Sequence, residues 1–111
     1  MVEAKVWIRV ARETLGEITS IFRGLLGPTV ALTGCRAGYL CQDLTDECVV
    51  MFTTYWETQE DTDRYLRSEL YRAVLYALEL SAEAPKVCFH TISETRGMEY
   101  VATVRSSDKL S

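Results

Sequence analysis

His90 is the only histidine in a chain of 111 residues, and it falls in an alternating run between Phe89 and Thr91. An imidazole changes charge near neutral pH, so His90 is a candidate general base, or a group that polarises a phenolic oxygen. The competing reading is a hydrogen-bonded structural or interface histidine. Tyr65 is the second catalytic candidate, because a phenol can donate a hydrogen bond to a developing oxyanion; a tyrosine at a helix edge also commonly keeps its tip in water. Around these two the sequence offers Phe22, Tyr39, Trp56 and Tyr71 as walls of a pocket for a flat aromatic ligand, each of which could equally be core packing. Cys35, Cys41, Cys48 and Cys88 lack the Cys-x-x-Cys spacing that presents two thiolates to one zinc, so no metal site is expected. The chain carries no nucleophile elbow, phosphate-binding glycine loop, dinucleotide fingerprint or His-Glu-x-x-His motif.

The elements that must position these residues follow from patterning. Val2, Ala4, Val6, Ile8 and Val10 alternate with Glu3, Lys5, Trp7 and Arg9, which is the period of a strand with one buried face. Two strings, Thr14-Leu15-Gly16-Glu17 and Thr58-Gln59-Glu60-Asp61, then place a threonine cap and an acidic partner where a helix should start. Ile18, Phe22, Leu25, Leu26 and Val30 form the first helical stripe, with a kink or break expected where Pro28 follows Gly24 by four residues. Gly34 suits the left-handed residue beyond the helix end, and a second strand should begin near Arg36. Tyr39–Asp43 and the run from Cys48 to Trp56 read as a hairpin whose second arm is apolar enough to lie centrally, beside the first strand. Cys41 and Cys48 could then face each other across the two strands, as two buried thiols or, alternatively, as a disulfide. Leu66, Leu70, Ala73, Val74, Ala77 and Leu78 mark one second helix ending before Pro85, its outer face carrying Arg64, Arg67 and Glu79. A last strand runs from Lys86 to about Glu94, a further β-like run from Glu99 to Val104, and a frayed tail from Arg105 to Ser111.

This order is β-α-β-β-α-β, an α+β ferredoxin-like arrangement with an antiparallel sheet, as a single domain over residues 1–104 followed by a tail over 105–111. Its 48% hydrophobic composition supports a real core. The net charge of −4 with scattered basic residues argues against nucleic-acid binding. No apolar run approaches the length needed to span a bilayer, and the alternating first residues do not resemble a signal peptide, so a cytoplasmic protein without membrane association is expected. Two helices can cover one sheet face only. The other would hold Trp7, third-strand side chains and Ile92, a patch that pairing with a second copy would bury, so a homodimer is expected.

Pro28-Thr29 ahead of Gly34-Cys35, Asp43 in the hairpin, Tyr55-Trp56-Glu57-Thr58, Tyr65-Leu66-Arg67-Ser68, Leu80-Ser81-Ala82-Glu83 and Ser93-Glu94-Thr95-Arg96-Gly97-Met98-Glu99 carry a resemblance over about residues 4 to 104. The chain resembles the antibiotic biosynthesis monooxygenase (ABM) family, and within it an uncharacterised bacterial subgroup. The resemblance implies a small ferredoxin-like dimer of the dimeric α/β-barrel type. Of two better-understood branches, the haem-degrading one fits poorly: its second-helix tryptophan corresponds to Tyr65, its ligating histidine to Leu75 or Tyr76, and its first-strand asparagine is missing among Val6, Trp7, Ile8 and Arg9. Without that histidine the iron loses its axial bond. The other branch oxidises quinols or polyketide phenols without a cofactor, the electron-rich phenolate itself supplying the electrons. The expectation is therefore a cofactor-independent monooxygenase acting on a quinol or polycyclic phenol in a cleft between helices and sheet. His90 would be base and Tyr65 donor, roles taken from chemistry and not from matched family catalysts. A non-enzymatic dimer that binds a small aromatic ligand, or serves as a regulatory module, is the rival. Isomerisation or decarboxylation on a related scaffold is a third reading.

Overall fold

In the computed structural model, which describes residues 1–108, the first strand does what its alternation requires. β1 (Val2–Arg9) buries Val2, Ala4, Val6 and Ile8 and leaves Glu3, Lys5, Trp7 and Arg9 half-exposed on the opposite face. A short 3-10 turn (Arg12–Thr14) leads into α1 (Leu15–Val30), then β2 (Cys35–Gln42), β3 (Val49–Trp56), α2 (Gln59–Leu66), α3 (Glu69–Glu79), β4 (Lys86–Thr91) and α4 (Met98–Asp108). All strand pairs are antiparallel, in the order β2-β3-β1-β4. The helices α1–α3 lie on one face of the sheet, giving the expected α+β ferredoxin-like fold. The apolar third strand is central, as its composition requires, with Val50, Phe52 and Trp56 buried beneath the helices. Phe22 of α1 stacks on Phe52 with ring centroids 5.0 Å apart and anchors the core. Among the described residues no helix is long and apolar enough to cross a membrane.

Several local expectations are corrected. The first capping box does not form: the 3-10 turn holds Thr14 at φ −102°, ψ −3°, so its hydroxyl donates back to the Ala11 carbonyl at 3.1 Å and does not cap α1. The second box forms in altered shape. Thr58 is extended and accepts from the Asp61 N–H at 3.1 Å, while its hydroxyl donates to Asp61 Oδ2 at 2.9 Å. The second helix is two helices, because Ser68 adopts an extended conformation, donates to the Tyr65 carbonyl at 2.6 Å and accepts from the Tyr71 N–H at 3.3 Å. Pro28 does not break α1. It falls in the last turn, and the Gly24 carbonyl that loses a donor belongs to an exposed residue that water can reach.

At the hairpin, Cys41 pairs with Met51 and is exposed, while Cys48 lies outside the strand, so the two thiols neither face each other nor share burial; all four cysteines are free. β4 stops at Thr91 and the run from Glu99 to Val104 is helical. Val101 and Val104, three apart, read as a helix face, and Glu99 Oε1 accepts from the Gly97 N–H at 2.9 Å at the helix start. The frayed tail is corrected as far as Asp108, which ends this helix; residues 109–111 lie outside the described residues. Because Ser68 is a true cap and Thr14 is not, Ser68→Ala should cost about 1 kcal/mol and Thr14→Ala only a few tenths in urea unfolding of the two variants.

Candidate functional site

Antiparallel register decides which candidates meet. Glu3 pairs with Tyr55 on one side and His90 on the other, so these three share the sheet face that carries no helices. The Tyr55 hydroxyl donates to Glu3 Oε2 at 2.8 Å, and Tyr39 meets the Tyr55 ring edge-on at 6.1 Å. That contact with Glu3 raises the Tyr55 phenol above its ordinary value. Tyr65, Trp56, Tyr71 and Phe22 are all beneath the helices. The structure therefore separates His90 and Tyr39 from the other four by the thickness of the sheet: a strand's side chains alternate, and a mid-strand residue one step out of phase points to the opposite face. His90 and Tyr65 do not form one base–donor pair.

The residues that do converge are Trp56, Tyr65 and Tyr71. Trp56 ends β3 and stacks on Tyr65 at 4.5 Å, and Tyr71, turned inward by the Ser68 break, meets Tyr65 edge-on at 5.1 Å. A hydrogen bond fixes the tryptophan. Trp56 Nε1 donates to Thr54 Oγ1 at 2.9 Å, and Thr54 lies beside the Tyr65 phenol. A neutral phenol can donate a hydrogen bond as well as accept one. Burial, with the neighbouring Tyr71, pushes the Tyr65 phenol well above its ordinary value, and burial raises Tyr71 as well. Both are neutral donors at physiological pH and neither is a base. Phe22 is fully buried against Phe52 and serves the core.

Two spaces flank Tyr65, and their volumes differ enough to choose between them. On the β4 side, between Phe52, Tyr71, Val87 and Phe89, about 10 Å³ is free, room for about one water. On the α1 side, a pocket of about 120 Å³ lies between Leu32, Thr33, Trp56, Asp61, Arg64, Tyr65 and Ser68. A cavity of roughly 150 Å³ suffices for benzene, so this one is of single-ring size. Its walls are mainly apolar, and its polar groups are placed by local structure. Asp61 accepts from Thr58 at 2.9 Å and from Arg64 at 2.9 Å, contacts that hold its carboxyl below the usual range. The guanidinium of Arg64 stays largely exposed at the rim.

Arg64, Ser68, Thr54, Thr33 and Leu32 were not singled out by sequence reasoning. Arg64 was read as an outer-face charge; its position three residues after the capping Asp61 and next to Tyr65 was the available signal. Among the described residues no group of three or more His, Cys, Asp or Glu side chains is placed to hold a metal ion.

The family model described as antibiotic biosynthesis monooxygenase matches residues 1–75, which includes every element around the 120 Å³ pocket. Among curated proteins none matches the chain. Solved structures match in fold. A Deinococcus radiodurans protein provisionally named as an antibiotic biosynthesis monooxygenase superposes with a TM-score of 0.79 at 15% identity, over 87% of this chain and 97% of its own. A structure named antibiotic biosynthesis monooxygenase gives 0.75 at 18% identity, over 85% and 100%. Rv0793 of Mycobacterium tuberculosis gives 0.77 at 14% identity, over 86% and 98%. Identities this low speak for the fold, whereas the family model spans more than half of the sequence itself: the chain belongs to the antibiotic biosynthesis monooxygenase family.

Proposed function

We propose that the protein is a monooxygenase that seats one phenolic ring of a quinol or polycyclic phenol in the pocket beside Trp56 and Tyr65, with the substrate as its own reductant. The observation that carries this reading is a buried, neutral phenol, Tyr65, stacked on Trp56 at the wall of a ring-sized space. Ionised substrate is the electron-rich species that reacts with oxygen. Tyr65 would donate to its oxyanion and Arg64, at the rim, would favour the charged form by proximity. The volume admits a single ring, so any further rings project past Thr33 and Arg64 toward solvent. The overall step balances as an anthrone CH₂ group plus O₂ giving a carbonyl plus water: one oxygen atom enters the product, the other leaves as water, and all four electrons come from the substrate.

The test is oxygen consumption by purified, metal-stripped protein with a panel of naphthoquinols and anthrones, with the quinone product identified by mass. Uptake above the uncatalysed rate, and retained with chelator present, supports the proposal; binding without uptake across the panel overturns it. That second outcome is the signature of a non-enzymatic ligand-binding module, a reading favoured by the lack of a base at the pocket. Tyr65 and Tyr71 are held neutral, and Asp61 is held as a weakly basic carboxylate. Since Tyr65 keeps its proton above the ordinary tyrosine range, the enzymatic reading expects the rate to rise with pH as the substrate ionises. There should be no inflection near the imidazole value.

The working form we propose is a two-fold dimer formed through the open sheet face. Trp7 there is flanked by two cations, Lys86 at 4.5 Å and Arg9 at 5.9 Å from its ring, and its cross-strand partner Met51, like Tyr55 further along the same face, is half-buried without any helix above it. Trp7→Glu should shift the sedimentation equilibrium toward monomer while leaving the fold intact.

A further inference from the structure

The helix layer has a vacancy. α1 packs on β2 and β3, and α2 on β1 and β3, so no helix packs extensively on edge strand β4, whose helix-side face meets only the side chains of Tyr65 and Tyr71. Its inward-phase residues Val87 and Phe89 are 40% and 45% exposed, next to the edge of Tyr71. The same chain carries a helix with nothing beneath it. Every described side chain of α4 is exposed, and Tyr100, Val101 and Val104 form an apolar face opposite Glu99 and Thr103. An 11-residue helix with no tertiary contact is marginal in water, since most helical stability in proteins comes from packing an apolar face.

The size of the mismatch indicates the missing partner. A compact monomer of this mass exposes about 6,200 Å², whereas this chain exposes 7369 Å². The excess exceeds the roughly 800 Å² that each partner gives up in a standard interface. The radius of gyration is 17.0 Å, against about 13 Å for a compact chain of this length. Both an unhoused helix and an unroofed strand sit in one sequence, and such self-complementary surfaces are what a closed two-fold contact requires.

We infer that α4 is an exchanged arm. In the dimer the Tyr100–Val101–Val104 face of each copy packs over Val87 and Phe89 of the other and supplies the helix that its sheet lacks. The segment 93–97 is the crossover, since the Ile92 N–H still donates to the Met1 carbonyl of its own copy at 2.8 Å. This contact is separate from the 120 Å³ pocket, so it stands or falls independently of the proposed chemistry.

The test is the dimer dissociation constant by analytical ultracentrifugation of the full chain, the Val101→Asp/Val104→Asp variant, Phe89→Asp, and the three changes combined. Since α4 supports nothing in its own copy, the arm variant should keep the thermal unfolding of the parent at dilutions where both are monomeric. The arm variant and Phe89→Asp should each weaken the dimer at least about tenfold, and the combination no more than the stronger of the two, because both remove one contact. A monomeric full chain overturns the inference, whether α4 is then bare or folded back on its own strand. So does a dimer indifferent to both changes, or effects that simply add.

Discussion

Tyr65→Phe is expected to slow catalysed oxygen uptake by about two orders of magnitude with little change in substrate affinity, the usual consequence of removing one fixed donor to an oxyanion. Tyr65 is 2% exposed and stacked on Trp56, so its geometry is set before substrate arrives. Such a donor acts in the transition state without reorganisation, whereas a mobile surface group would have to be ordered first. Phenylalanine keeps the stack and loses only the hydroxyl, which makes the effect on kcat larger than that on KM. Arg64→Ala should cost less, about tenfold, because its guanidinium is shared with Asp61 and largely exposed. His90→Ala should leave the rate within about threefold of the parent, since the imidazole lies across the sheet from the pocket and no bonded path links them. Steady-state oxygen-electrode kinetics of the three variants decide the matter. A large loss in His90→Ala with Tyr65→Phe unaffected would place the chemistry on the open face, among Glu3, Tyr55 and His90.

The contrast between His90 and Tyr65 shows what was legible before the structure. Alternation assigned the buried face of β1, a continuous apolar run the central place of β3, and residue type the left-handed Gly34, because each depends on the residue and its near neighbours. The same alternation already contained the phase of β4, with Val87 and Phe89 on one face and His90 on the other. Which face lay under the helices depends on pairing with β1, a non-local fact. Ser68 misled for a related reason: the stripe from Leu66 to Leu78 is continuous in sequence, and only a serine in cap position, competing for Tyr65 and Tyr71 backbone groups, signals the break that turns Tyr71 inward. The run after Gly97 was ambiguous between periods of two and three, which short apolar runs cannot resolve. Aromatic residues announced a pocket but not its walls, since Phe22 and Trp56 look alike until packing assigns one to the core and the other to a cavity edge.

Gly34→Ala should be the most damaging small substitution in the chain, lowering stability by about 3 kcal/mol. Two costs combine. Gly34 sits at φ +86°, where an L-residue loses roughly 1–2 kcal/mol, and an added methyl would come within 2.2 Å of Asp61 Cγ, overpacking worth about 1–3 kcal/mol. Asp61 cannot simply swing away. Its carboxylate accepts from Thr58 and Arg64, its N–H caps onto Thr58, and the Gly34 carbonyl accepts from the Glu57 N–H at 2.8 Å, so the loop and the start of α2 are tied together. The urea midpoint should fall by about 1.5 M for a slope of about 2 kcal/mol/M. Gly24→Ala is the matched control: it lies in α1 with nothing within 4 Å of the added carbon, and alanine there should raise stability by about 0.5–1 kcal/mol. The two changes add the same atom and should move the midpoint in opposite directions. Because Gly34 acts through Asp61, its replacement should also disturb Arg64 at the pocket rim, so any residual folded protein should bind phenols less tightly than Gly24→Ala does. A Gly34→Ala midpoint within experimental error of the parent would mean that the loop can relax around the extra methyl, and that Asp61 is not the fixed strut on which the pocket's polar rim depends.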